Sequence, residues 1–169
     1  VRLSAGKSYF VCLYTAKRTG GSALVVPYAF RFATASSFPT TTVSGTVSGG
    51  TTGISPAYAI VGLNDGPITG PPKFIAGAVA DAGGVFTIPC VPNGTTYPIA
   101  AKDLNGDGEI DPSRGDPIAL GSPITMSGTN ITNVALTFIN SFQRRYKDAV
   151  DSLNVYVSTL PSPRALRQA

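Results

Sequence analysis

The sequence predicts an all-β protein: an antiparallel β-sandwich with extra terminal strands and at most one short helix. Three observations predict it. Short runs rich in Val, Ile, Thr and aromatic residues recur along the chain, each bounded by Gly, Pro or Asn. Gly (19) and Pro (14) are frequent enough to supply a tight turn between most of those runs. Charged residues are only 13% of the 169, well below the roughly 25% of an average soluble domain. The 43% apolar content is enough to bury a core.

Taken in order, "SYFVCLYT" (8–15) and "PYAFRFAT" (27–34) read as strands. The second alternates Tyr28, Phe30 and Phe32 against Ala29, Arg31 and Ala33, a period of two that predicts an aromatic face turned inward. Two strands make no core of their own. Residues 1–35 are therefore expected to pack on the rest of the chain or on something outside it. "SSFPTT" (36–41) has linker composition. The runs 42–49, 57–63, 73–80, 84–90, 96–103 and 130–139 then give the strands of a central unit, 42–139, with "DAGG" (81–84) as a hairpin turn. Segment 141–152 is the best helix candidate, with Phe142, Tyr146, Ala149 and Leu153 on one face, and "LNVYVST" after it reads as a strand. Residues 140–169 are a C-terminal extension or the start of a further module.

Several function classes are excluded or disfavoured. The net charge of +4 is scattered, with no basic stripe interleaved with aromatics, so no nucleic-acid partner is expected. The chain has no histidine, which removes the commonest general base and the Ser-His and Cys-His nucleophile pairs. Cys12 and Cys90 are too far apart in sequence for a CxxC site. They are either two buried small hydrophobes or one disulfide tying the N-terminal segment to the main domain. No apolar run reaches membrane-span length. The composition suits a secreted or cell-surface protein, and the chain reads as processed or cut from a longer one.

Five of the nine acidic residues, Asp103, Asp107, Glu109, Asp111 and Asp116, crowd into "AAKDLNGDGEIDPSRGDP" (100–117). Asp103, Asn105, Asp107, Gly108 and Asp111 fit D-x-[DN]-x-[DN]-G-x-x-[DE], the first nine positions of a calcium loop. Alternating residues on a tight turn can aim their oxygens at one centre, and Gly106 and Gly108 permit the backbone angles. The Glu109 carbonyl is the expected main-chain ligand, and Ile110 is expected to pin the loop to the core. The twelfth position, normally a bidentate acid, is Arg114. Either Asp116, Asp111 or water supplies the missing ligand, or Arg114 neutralises the cluster. The competing reading is an acidic turn held by Asx hydrogen bonds without metal. The expected metal set is Asp103, Asn105, Asp107, Glu109, Asp111 and Asp116 for Ca2+, with a weak affinity of about 10⁻⁴–10⁻³ M for want of the twelfth ligand. Five acids so close together with interposed Gly and Asn suit a cation better than a catalytic pair. "NGT" (93–95) and "NIT" (130–132) are glycosylation patterns, and the "RGD" at 114–116 reads as coincidence.

The order of Gly45–Val47, Asp81–Phe86, Val91–Tyr97 and Asp103–Asp111 resembles the carboxypeptidase regulatory-like domains of the prealbumin-like fold. The resemblance covers about residues 42–139. It implies a seven-stranded Greek-key sandwich with no catalytic centre, hence no enzyme. "LSAGKSYFVCL" with "VPYAFRFATAS" resembles the closing strands of bacterial Ig-like domains. Together they imply a structural module of an extracellular surface, adhesive or filament-forming protein, docked by strands to other copies or neighbouring modules. A carbohydrate- or protein-binding module is the alternative.

Overall fold

The β-branched and small-residue runs form ten strands in the computed structural model, which describes residues 3–6, 8–13, 19–21, 26–34, 38–50, 53–68, 72–107 and 109–139. An antiparallel ribbon is made by β1 (Ser8–Leu13) and β2 (Tyr28–Ala33). One sheet contains β3 (Val43–Ser48), β6 (Val85–Ile88) and β10 (Ile131–Thr137), in the order β10-β3-β6. The other contains β4 (Ile60–Asp65), β5 (Phe74–Val79), β7 (Gly94–Ala101) and β8 (Ile118–Leu120), in the order β5-β4-β7-β8, with β9 (Ile124–Met126) paired to β7. Among the described residues the only helical element is a 3-10 turn at Pro112–Arg114. The fold is an all-β sandwich. Its pairs are antiparallel except β10 with β3, which run parallel and shift register between Ile131 and Val134. Asn133 sits in that shift with φ 61°, a left-handed conformation that Asn tolerates better than most residues.

The core forms because each sheet turns alternate side chains inward. Val43, Val47, Phe86, Ile88 and Leu136 come from the three-stranded sheet. Val61, Leu63, Ala76, Ala100 and Ala119 come from the other, so large side chains on one layer meet mostly smaller ones on its partner. Phe86 is fully buried, worth about 2–3 kcal/mol by the area its ring removes from water.

Asp81 organises the expected turn after β5. Its Oδ1 accepts the N–H groups of Gly83 and Val85, both at 2.8 Å. The turn does not close a hairpin within one sheet: β5 pairs with β4 and β6 with β3, so the chain crosses between layers here. Gly84 has φ +82° and lies against the Val47 carbonyl, leaving no room for a side chain.

The N-terminal ribbon packs on the outer face of β5. Phe10 covers Gly77 so closely that a Cβ there would lie 2.9 Å from the ring. Of the two expected locations for residues 1–35, the described part takes the first, against this chain's own sandwich. The period of two in β2 is present, but its inward face is the opposite one. Arg31 faces the sheet and donates to the Cys90 carbonyl at 3.2 Å, while Tyr28 and Phe30 are 59% and 42% exposed. The reason is steric: the flat strip at Gly77 accepts Phe10 from β1, and register then puts Arg31 on the same side of the ribbon. Tyr28, Phe30, Phe32 and Tyr9 are left as a ladder of ring contacts on the far side, with centroids 5.2–6.4 Å apart.

Both cysteines are free thiols and half-buried, so the disulfide alternative does not hold. The linker is partly bound, since Thr41 is buried and its hydroxyl donates to the Val91 carbonyl. The helix candidate at 141–152, the strand after it and the C-terminal tail lie outside the described residues. No helix among the described residues is long and apolar enough to cross a membrane.

Candidate cation-binding loop

The acidic stretch joins β7 to β8, two neighbours in one sheet, so its ends are held close together by the ladder at Ala101 and Ile118. Asp116 closes the neck. It is 1% exposed, and its two oxygens accept the N–H groups of Leu104 at 2.9 Å and Asp111 at 2.8 Å. A buried carboxylate needs such partners, and two backbone dipoles aimed at it replace the water it has lost.

Beyond the neck the acids fold the loop on itself. Asp103, also buried, accepts the Gly106 N–H at 2.6 Å. Asn105 accepts from Asp107 and Asp107 from Glu109, both at 2.9 Å, giving a run of turns in which each side chain binds the backbone ahead of it. Gly106 takes φ +74° within that run. Asp111 caps the 3-10 turn by accepting from the Ser113 N–H at 2.7 Å.

Arg114 then reaches back over the cluster. Its Nη1 lies 3.4 Å from Asp107 and 3.5 Å from Glu109, and its Nε lies 3.4 Å from Asp111. The Glu109 N–H is the main cause that holds the Asp107 carboxyl below the usual range, and Arg114 adds to it. Hydrogen bonding by Ser113 does the same for Asp111, again with help from Arg114. These carboxylates stay ionised at neutral pH.

The loop therefore brings Asp103, Asn105, Asp107, Glu109, Asp111 and Asp116 into one structure. The donor set is all oxygen, which suits a hard cation such as calcium. The arrangement differs from a ready cage: among the described residues no group of three His, Cys, Asp or Glu side chains is set to hold a metal. The oxygens are turned onto loop N–H groups and onto Arg114 instead. Ile110 does not pin the loop to the core. It is 38% exposed and lies over the outer face of the five-stranded sheet beside Phe74 and Ile99. The Asp116 of "RGD" is buried with both oxygens engaged, so that tripeptide is not presented as a surface ligand. Asn130 of the second sequon is exposed and accepts the Thr42 N–H at 2.9 Å.

No protein family matches the chain, and no curated protein matches it. The structure is similar to that of a protein from Pseudomonas aeruginosa provisionally described as carbohydrate binding, with TM-score 0.39 and 17% identity over 59% of this chain and 89% of that one. It is also similar to part of a 9R-lipoxygenase from Cyanothece, with TM-score 0.31 and 12% identity over 57% of this chain and 16% of the enzyme.

Proposed function

We propose that this chain is a non-catalytic structural module of an extracellular surface, adhesive or filament-forming protein, and that calcium stiffens its 103–116 loop. The observation that carries the reading is the position of Arg114. One guanidinium bridges three carboxylates at 3.4–3.5 Å, long for charge-assisted bonds, and it is 59% exposed. It is a weakly held counter-ion on an excess of negative charge. Calcium would displace it and draw on Asp103, Asn105, Asp107, Asp111 and the Glu109 carbonyl. Asp116, committed to two N–H groups, would support the loop from below. Other copies or neighbouring modules are the proposed partners, through strand docking on the edges of the two sheets.

Thermal melting in about 10 mM calcium and in excess chelator tests the calcium reading. With an affinity of about 1 mM, calcium at tenfold excess adds about 1.4 kcal/mol, a rise of several degrees. Identical melting curves would overturn it.

The second reading is a carbohydrate- or protein-binding module. It is favoured by the outward Tyr28 and Phe30, which offer flat apolar faces to a ligand. A glycan array separates the two, since the structural module binds no glycan on it.

A further inference from the structure

Between the N-terminal ribbon and the sandwich lies a cavity of about 600 Å³, lined by Phe10, Phe30, Arg31, Phe38, Pro89 and Cys90 among others. It shares no residue with the acidic loop. Its size is that of small-molecule sites, which are commonly about 300–1,000 Å³, mostly apolar, with a few polar groups that fix orientation. Here the polar group is Arg31. Its Nη2 donates to the Cys90 carbonyl at 3.2 Å. Nε and Nη1 are shielded from water and have no acceptor among the described residues. Arg31 has no ion pair among the described residues.

A guanidinium in that state is unusual. The side chain as a whole is half-buried, but N–H groups shielded from water are normally bonded. Burial lowers the Arg31 pKa, but a guanidinium stays protonated in proteins. The protein therefore keeps a cation with unmet donors in the wall of an aromatic cavity. Cys90, whose carbonyl it does reach, takes φ 58°, a left-handed backbone rarely adopted by a side-chain-bearing residue.

We infer that this cavity binds a small apolar carboxylate. Rotation of the Arg31 head toward the cavity it lines presents its free N–H groups to the carboxylate, the anion whose planar geometry matches them. Phe10, Phe38 and Pro89 hold the apolar body, while the Phe30 ring stays on the outward face of the ribbon. A purely apolar ligand leaves the guanidinium unmet, and a small hydrophilic anion leaves the aromatic walls wet. The combination is what discriminates.

The test uses the whole chain in excess chelator, so that calcium plays no part. The probes are 4-phenylbutyrate and its uncharged analogue 4-phenylbutanol, titrated by calorimetry and by NMR of the arginine Nε–H signals. The acid is expected to saturate below about 10 mM, bind about tenfold tighter than the alcohol, and shift the Arg31 Nε–H signal but not that of Arg114. In Arg31→Gln the advantage of acid over alcohol should fall below about threefold. Equal binding of acid and alcohol by the native chain would overturn the inference, with no variant needed. So would failure of the acid to saturate, or a shift confined to Arg114.

Discussion

Replacing Asp116 with Ala tests the account of the loop most directly. The carboxylate accepts two N–H groups, at 2.9 and 2.8 Å, from positions 104 and 111. Hydrogen bonds to a charged group contribute about 1.5–3 kcal/mol each. Their sum, about 3–6 kcal/mol, is an upper bound, because the loop can relax and let water reach the freed N–H groups. Leu104 is half exposed and Asp111 partly so, which makes that relaxation easy. The lower end, about 3 kcal/mol, is the expected loss. For a unit of about 130 residues this is a fall of roughly 10 °C in Tm. Asp116→Asn keeps the volume and one acceptor but turns an NH2 toward the other N–H, so about 2 kcal/mol is expected. Asp107→Asn, at the exposed end of the same loop, should cost much less than either change at Asp116. Urea denaturation followed by circular dichroism, in chelator, gives all three values. An Asp116→Ala variant within about 0.5 kcal/mol of the native chain would show that the neck does not depend on this carboxylate.

Other expected outcomes follow from single contacts. Phe86→Ala empties the centre of the core and should cost about 3–5 kcal/mol in the same denaturation experiment. Gly77→Val drives a branched side chain into Phe10, so it should cost about 1–3 kcal/mol and make β1 and β2 more sensitive to protease. Arg114→Ala should change stability in chelator by less than about 1 kcal/mol, yet tighten calcium binding by removing the competing cation; unchanged or weaker binding would count against displacement. A thiol assay should find two free thiols per chain after unfolding under non-reducing conditions. Cys12, whose thiol pKa is raised by burial, should react slowly while the chain is folded.

The sequence announced the strands because the period of two and the Gly, Pro and Asn breaks are local signals. Eight runs fall on β1 to β7 and β10 with boundaries moved by a few residues. β8 and β9 escaped because "IAL" and "ITM" are too short to show any period, and pairing with β7 makes them strands. The acidic cluster was legible because like charges at close spacing require an explanation. Two facts about it were not legible. Asp116 points inward while its neighbour Arg114 points out, and only the closure of the neck decides that. Ile110 finds the outer face of a sheet, a surface that exists only once β4, β5 and β7 are assembled. The face chosen by β2 was also hidden. Periodicity shows that Tyr28 and Arg31 lie on opposite sides, but it does not say which side meets the sheet.

That outer surface decides how the domain boundary at residues 36–41 should be drawn. β4 and β5 are buried on both sides: Val61, Leu63 and Ala76 face the core, while Gly62 and Gly77 lie under Phe74 and Phe10. Strands covered on both faces read as continuous small and apolar runs, as "AIVGL" and "FIAGAVA" do, and not as alternating ones. The ribbon is thus a third layer over part of the sheet, and β1 and β2 belong physically to the unit that follows them. A chain beginning at residue 36 should expose Ile60, Gly77, Val79 and Ile99 along this face. Each large apolar side chain returned to water forfeits about 1.5–3 kcal/mol, so the loss of Phe10 with part of Ile60 and Val79 should cost about 3 kcal/mol or more. The shortened chain should melt lower, bind a hydrophobic dye in its folded state and associate as concentration rises. If it matches the full chain in Tm and stays monomeric without binding dye, the ribbon is an appendage and the boundary stands where composition first put it.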